Sequence, residues 1–209
     1  MKREAAAPSS AASAAQVAVR RFEYAQLQAE PWANGNGITR TIARGNLTGH
    51  GEDTDWRVSL ATLNASARFS LFAGFERTFV LVDEGVVNLR SQEVHIDAHR
   101  AQPVHFSGDL DLWSTLSTAP VNALNVMTRR GRCGSSVSVL PGSSSLAAAP
   151  VQLLMGLSGQ WTVRGGMLDG LSLGPLQGVL IEHSSEPLDL VPLGAGDELI
   201  SIAIAPLSL

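Results

Sequence analysis

Short runs of alternating or β-branched residues recur along this 209-residue chain about every ten residues, and this spacing limits the possible folds more than any other feature. Turn-forming pairs such as Asn34-Gly35, Glu84-Gly85 and Pro141-Gly142 separate the runs. Few windows repeat apolar residues at helical spacing. The runs include WRVSLATL, RTFVLV, VVNLR, NALNVMTRR and SSVSVL. Many short strands divided by turns predict an all-β sandwich or barrel.

The composition is that of a globular protein that needs no disulfide bond to fold. Hydrophobic residues make up 44% of the chain and charged residues 16%, which is enough apolar material for a core. Cys133 is the only cysteine, so an intramolecular disulfide is impossible. No apolar run approaches the roughly 20 residues of a membrane-spanning helix, and the Ala/Ser-rich start lacks the apolar core of a signal peptide. We therefore expect a cytoplasmic protein without membrane association.

The charge distribution argues against a nucleic-acid partner. The net charge is −4, whereas surfaces that follow phosphates are usually basic. The basic residues are Lys2 and 14 arginines, of which only Arg164 follows residue 150. Six acidic residues share that last part of the chain. An excess of arginine over lysine suits planar recognition of carboxylates, but genomic base composition produces the same excess.

One segment is distinctive enough to suggest a family. In PWANGNGITRTIA, residues 31–43, a Trp and a cluster of Gly and Asn lead into a strand. The segment resembles the signature of the HutD/Ves family, which has Trp, a variable residue, Asn, three Gly and then Thr-Arg-Glu. Here Asn36 replaces the middle Gly and Thr41 replaces the Glu. Further matching blocks follow in the expected order: DWRVSLATL (55–63), FSLFAGFERTFVLV (69–82), HFSGD (105–109) and LNVMTRR (124–130).

The resemblance implies a cupin-like fold, an RmlC-like jelly-roll barrel, and a bicupin with two β-barrel halves. We expect residues 1–16, which lack a large apolar side chain, to form a mobile tail. Residues 17–140 would form the N-terminal cupin barrel with the ligand pocket, and residues 141–209 a smaller C-terminal cupin-like half. A Gly-Asp turn precedes a strand at both 108–109 and 196–197, which favours an internal duplication.

Strand alternation indicates which polar groups face the interior of the first barrel. Arg57 and Ser59 share one face of WRVSLATL, opposite Trp56, Val58 and Leu60. Four segments could each deliver an arginine to one cavity, where unpaired guanidinium groups would require an anion. The candidate ligand-binding residues are Trp32, Asn34, Thr39, Arg40, Arg57, Ser59, Ser70, Arg77, Asn125, Met127 and Arg129.

A structural interpretation of the same residues stays open. The arginines could form surface or rim salt bridges with nearby carboxylates, and Trp32 and Asn34 could brace a turn. The carboxylates closest in sequence are Asp55, Glu76, Asp83 and Glu84.

The histidines do not fit the metal-binding pattern of many cupins. That pattern needs a His-x-His pair, a following Glu and a later His. The five histidines never occur as His-x-His, and none lies in RTFVLVDEG. We predict no metal, no cofactor and no catalytic residue.

The leading functional hypothesis is a metal-free cupin that binds a small carboxylate metabolite and modulates histidine utilisation. The resemblance implies N-formylglutamate, formate or urocanate, because HutD proteins lie in histidine-utilisation gene clusters. One alternative is a metal-independent isomerase or lyase with His105 or Asp109 as base. Another is a protein-interaction regulator with a structural barrel. The sequence leaves the oligomeric state open.

Overall fold

Nineteen strands form four sheets in the part of the chain that the computed structural model describes, residues 16–47 and 54–207. The only other regular elements in those ranges are short 3₁₀ turns at Tyr24–Gln26 and Gly166–Leu168. The all-β prediction is confirmed. Of the predicted tail, residues 1–15 lie outside the described residues.

Sheets I and II come mainly from the first two thirds of the chain. Sheet I has the order β5-β10-β7-β8, with β5 Ala67–Arg68, β7 Val86–Arg90, β8 His95–His99 and β10 Trp113–Leu116. Sheet II has the order β2-β3-β4-β11-β6-β9, with β2 Glu30–Pro31, β3 Gly37–Gly45, β4 Trp56–Leu63, β6 Phe75–Leu81, β9 Val104–Ser107 and β11 Val121–Arg129.

Sheets III and IV come mainly from the last third. Sheet III has the order β1-β17-β14-β19-β12, with β1 Ala18–Glu23, β12 Cys133–Leu140, β14 Val151–Ser158, β17 Gln177–Glu182 and β19 Glu198–Pro206. Sheet IV has the order β13-β18-β15-β16, with β13 Ser144–Leu146, β15 Trp161–Arg164, β16 Leu171–Leu173 and β18 Leu188–Pro192.

Three apolar cores separate the four sheets and place them in the order I, II, III, IV. One core joins sheets I and II through residues such as Leu89 and Phe79. A central core joins sheets II and III, and a third, built around Trp161, joins sheets III and IV. Each sheet keeps unpaired edges within the described residues. The predicted barrels are therefore open sandwiches rather than closed barrels.

Sheets II and III, the two inner sheets, are buried on both faces, and their strands are accordingly rich in apolar residues. In β14, Leu153 and Met155 face the central core while Leu154 faces the third core. Seven of the eight residues of β14 are buried. A strand covered on both faces needs a nearly continuous apolar run, which explains why polar alternation is weak in these strands.

Two strands cross the predicted boundary at residue 140. Strand β1 pairs with β17, and β12 pairs with β19, so both belong to sheet III. Sheets I and II form the first sandwich, and sheets III and IV form the second. Polar contacts join the sandwiches as well: Arg20 Nη2 donates to Ile42 O at 2.8 Å, and Arg100 Nη1 lies 2.5 Å from Glu198 Oε2. The division into two domains stays a prediction.

Within the described ranges, no helix is both long enough and apolar enough to span a membrane.

Candidate functional site

A polar cavity lies between sheets I and II, at one end of their shared core. Its floor is the face of sheet II that points towards sheet I, where β-pairing sets Arg57, Met127 and Arg77 side by side on β4, β11 and β6. Ser59 and Asn125 form the adjacent row. The cavity volume is about 60 Å³. It is lined by Trp32, Thr39, Arg57, Ser59, Ala61, Leu63, Phe69, Ser70, Phe72, Arg77, Phe79, Asn125 and Met127.

Arg77 is the most unusual of these residues because its charge is buried without a counterion in the part of the chain that the structure describes. Its side chain belongs to a residue only 6% exposed, and it makes no ion pair within the described ranges. Nη2 donates to Asn125 Oδ1 at 2.7 Å and Nη1 to Ser70 O at 3.4 Å, while Nε has no partner among the described residues. Burial lowers the pKa of Arg77 to about 10, so the group stays protonated at neutral pH.

Aromatic rings surround the Arg77 guanidinium. Its Cζ lies 5.1, 5.3 and 5.2 Å from the ring centroids of Phe69, Phe72 and Phe106. Ring faces attract a cation but exclude water, so they offset only part of the desolvation cost of a buried charge. The remaining cost favours binding of an anion.

Arg57 supplies a second guanidinium on the far side of Met127. Its Nη2 donates to Thr41 Oγ1 at 2.7 Å, and it makes no ion pair with a described residue. Strands two apart in a sheet place Cα atoms about 10 Å from each other, so Arg57 and Arg77 flank one cavity. The lining contains two arginines and no Asp, Glu or His.

Trp32 closes one side of the cavity and depends on the glycine-rich turn that follows it. The turn is fixed by Gly35 N donating to Trp32 O at 3.0 Å and Trp32 N donating to Gly37 O at 2.9 Å. A Cβ on Gly37 would lie 2.8 Å from the Trp32 ring, so this position needs glycine. Trp32 Nε1 then donates to Thr39 Oγ1 at 2.8 Å, which fixes the ring.

Comparison with known proteins agrees with the signature segment. The family model described as HutD matches residues 24–197. The chain belongs to the HutD family. It is 33% identical to Protein Ves of Citrobacter koseri over 144 residues, which are 67% of this chain and 73% of that protein. The predicted resemblance to the HutD/Ves family is therefore confirmed.

Solved structures show the same fold. HutD from Pseudomonas fluorescens, determined in a formate condition, aligns with a TM-score of 0.77 at 24% identity and covers 91% of this chain and 100% of that one. Ylba from E. coli, matched to the family model DUF861, aligns with a TM-score of 0.65 at 9% identity and covers 91% of this chain and 92% of that one. At these identities the likeness concerns the fold alone, which is all-β and cupin-like.

The structure brings eight of the eleven predicted ligand-binding residues of this HutD-family chain to one cavity. They are Trp32, Thr39, Arg57, Ser59, Ser70, Arg77, Asn125 and Met127. Arg57 and Ser59 share a face, as strand alternation predicted. Their role in binding stays a prediction.

The other three predicted residues lie outside the cavity. Arg40 is on the opposite face of sheet II, where its Nη1 donates to Tyr24 Oη at 3.1 Å. Arg129 lies at the end of β11 and packs its guanidinium 4.7 Å from the Phe75 ring. Asn34 braces the turn, since its Oδ1 accepts from Asn36 N at 3.0 Å.

Sequence reasoning missed the aromatic wall. Phe69 and Phe72 reach the cavity from the loop that precedes β6. Phe72 N donates to Gly108 O and Gly108 N to Phe75 O, at 2.9 and 2.7 Å, so the HFSGD block holds this loop in place. The clustering of phenylalanines in FSLFAGF was the available signal.

His105 does not reach the cavity. It pairs with Thr78 in the register of β9 and β6, whereas the neighbouring pair is Phe106 with Arg77. Alternation therefore puts His105 on the face of sheet II away from Arg77. Its Nε2 lies 3.3 Å from Glu76 Oε2, and Asp109 pairs with Arg130 at 2.7 Å.

In the part of the chain that the structure describes, no group of three or more His, Cys, Asp or Glu residues could hold a metal ion. The absence of a metal or cofactor remains a prediction from the histidine pattern.

Proposed function

We propose that this HutD-family protein binds a small carboxylate between Arg57 and Arg77 and thereby modulates histidine utilisation. The observation that carries the proposal is the buried Arg77 guanidinium, which lines a cavity where no described residue contributes a carboxylate side chain. A carboxylate would supply the missing negative charge and accept hydrogen bonds from the guanidinium groups. Ser59 and Ser70 would add neutral polar contacts.

The size of the cavity favours a very small acid. A cavity needs a volume of about 10–15 Å³ to hold one water molecule. The arginine cavity, at about 60 Å³, therefore has room for a molecule of a few heavy atoms. Among the three candidates that the family suggests, formate fits within this volume. N-Formylglutamate or urocanate would place a carboxylate inside and extend the rest of the molecule past Trp32 and Phe72.

Thermal melting and calorimetric titration of the purified protein test the proposal directly. Formate, N-formylglutamate and urocanate are each compared with chloride at equal ionic strength, near pH 7. A ligand at 100 times its Kd stabilises the fold by about 2.7 kcal/mol, which melting detects. We expect saturable binding of formate. If none of the acids binds, the proposal is wrong and the protein-interaction hypothesis gains support.

Replacing Thr41 with Glu should weaken binding of the acid. The new carboxylate would lie beside Arg57, whose Nη2 now donates to Thr41 Oγ1, and would compete with the ligand for that guanidinium. We expect formate affinity to fall about tenfold, the equivalent of one charge-assisted hydrogen bond of about 1.5 kcal/mol. Calorimetric titration measures the change.

Thr115→Glu is the matched control for this substitution. Thr115 is an exposed residue of β10, so the variant has the same net charge without a new carboxylate in the cavity. Its affinity should equal that of the unmodified protein. Equal loss in both variants would attribute the effect to overall charge and not to Arg57.

The enzyme hypothesis receives no support from the residues that line the cavity. Among the described residues that line it, there is no His, Asp, Glu, Cys, Tyr or Lys that could act as base. A metal-independent lyase or isomerase would need a base from elsewhere. Sustained product formation from a pathway acid, abolished by His105→Ala, would overturn this conclusion.

We also propose that the two sandwiches are the halves of a bicupin. The strand orders support the proposal: β4-β11-β6-β9 and β5-β10-β7-β8 of the first sandwich correspond, in chain order, to β12-β19-β14-β17 and β13-β18-β15-β16 of the second. An experimental structure in which the sandwiches superpose strand by strand would support this relation. Unrelated strand orders would contradict it.

A further inference from the structure

A second recess, with four polar residues in a mainly apolar lining, lies in the other sandwich, between sheets III and IV. It is a groove of about 240 Å³, four times the volume of the arginine cavity. Its floor is the face of sheet III that points towards sheet IV. The residues that define this groove, named here the serine groove, include Ser136, Ser138, Ala147, Gln152, Ser201 and Ala203.

β-Pairing brings the polar members of the serine groove together. Ala203 pairs with Ser136 on one side and Gln152 on the other, and Ser201 pairs with Ser138. The segment after β13 supplies Ala147, which forms part of the wall. The polar floor therefore comes from the strands of sheet III, and the wall comes from a different segment.

Gln152 indicates that the serine groove binds a ligand. The residue is 1% exposed, and its Oε1 accepts no hydrogen bond from any described residue. A buried amide oxygen without a donor destabilises a fold, and most buried polar groups are paired. The neighbouring buried Ser201 gives no hydrogen bond to it, so the described residues leave this oxygen free to accept one from a ligand.

The chemistry of the groove differs from that of the arginine cavity. No charged side chain of the described ranges lines it, and the rest of its surface is provided by Leu140, Leu146 and alanines. The Gln152 amide offers one acceptor and two donors, which match the donors and acceptor of another primary amide. A carboxylate would place its oxygens against Oε1 without a cation to hold it.

We propose that the serine groove binds a neutral, short-chain aliphatic carboxamide, with Gln152 making a paired amide-to-amide contact. The aliphatic part lies against Leu140 and Leu146, and Ser136 and Ser138 bond to the free edge of the amide. This site is independent of the arginine cavity, which lies in the other sandwich.

Two-dimensional amide NMR spectra of the full chain, titrated with butyramide and with butyrate, test this proposal. The two probes have nearly the same shape and differ in charge. Butyramide should shift the resonances of Ala147, Gln152 and Ser201 in a saturable way, and butyrate should not. Butyramide shifts that are absent, or butyrate shifts of equal size at these residues, would overturn the proposal.

Variants locate the effect at Gln152. Gln152→Leu should lower butyramide affinity at least about tenfold, as expected for the loss of two hydrogen bonds. Gln102→Leu, the same change at an exposed position of the other sandwich, should leave it unchanged. Ser138→Leu narrows the groove from an exposed position and should also weaken binding. Unaltered affinity in both groove variants would contradict the site.

Discussion

Replacing Arg77 with Met should abolish most carboxylate binding and make the protein more stable. The variant removes the buried guanidinium but keeps an unbranched side chain of similar length. A charge-assisted hydrogen bond contributes about 1.5–3 kcal/mol, so formate affinity should fall about 10- to 100-fold. The free energy of unfolding should rise by about 1 kcal/mol, because removal of a desolvated charge outweighs the lost donor to Asn125. Calorimetric titration and urea unfolding measure the two effects.

Arg129→Met is the matched control for Arg77→Met. Arg129 lies on the same strand face as Met127 and Asn125 but packs against Phe75 at the strand end, outside the cavity. Its removal should leave the formate affinity within about twofold of that of the unmodified protein, which corresponds to less than about 0.5 kcal/mol of binding free energy. If Arg129→Met weakens binding as much as Arg77→Met, the anion is bound elsewhere.

Trp161→Ala should cost about 3–5 kcal/mol of the free energy of unfolding, the usual range for removing a large buried aromatic side chain. Trp161 is fully buried between sheets III and IV, where its ring belongs to the third core. Because sheets II and III share the central core, we expect both sandwiches to unfold in one transition. Urea unfolding followed by circular dichroism and by fluorescence measures the midpoint and compares the probes.

Trp113→Ala gives the comparison for Trp161→Ala. Trp113 is 53% exposed on the outer face of sheet I, so its truncation should change the free energy of unfolding by no more than about 0.5 kcal/mol. A loss at Trp161 no larger than the loss at Trp113 would contradict the third core. Separate transitions for the two spectroscopic probes would show that the sandwiches unfold independently.

Local sequence was sufficient for the fold class because strand formation depends on short-range pattern. The run WRVSLATL became β4, and NALNVMTRR lies in β11 except for its last residue, Arg130. The strand pairing was not predictable in the same way. Neither β1 nor β12 has a residue pattern that shows which sheet it joins, since both pair with strands far along the chain.

In the candidate site, too, the local sequence predicted some features and long-range contacts decided others. Alternation correctly grouped Arg57 with Ser59, because neighbouring side chains in a strand always point to opposite faces. It also puts Arg40 on the face opposite Thr39, so the two could not both reach the cavity, but it did not show which of them does or that Arg129 lies beyond the end of the cavity. The aromatic wall of Phe69 and Phe72 depends on a loop held by Gly108, a contact between distant segments.

The sequence by itself determined the all-β class, the HutD family and most of the side chains that line the arginine cavity. These depend on local alternation and on short motifs, which a single stretch of chain contains in full. Only the tertiary structure decided that, among the described residues, Arg77 has no counterion and the Gln152 amide oxygen has no hydrogen-bond donor. Burial and pairing are properties of several strands together, and long-range packing sets them.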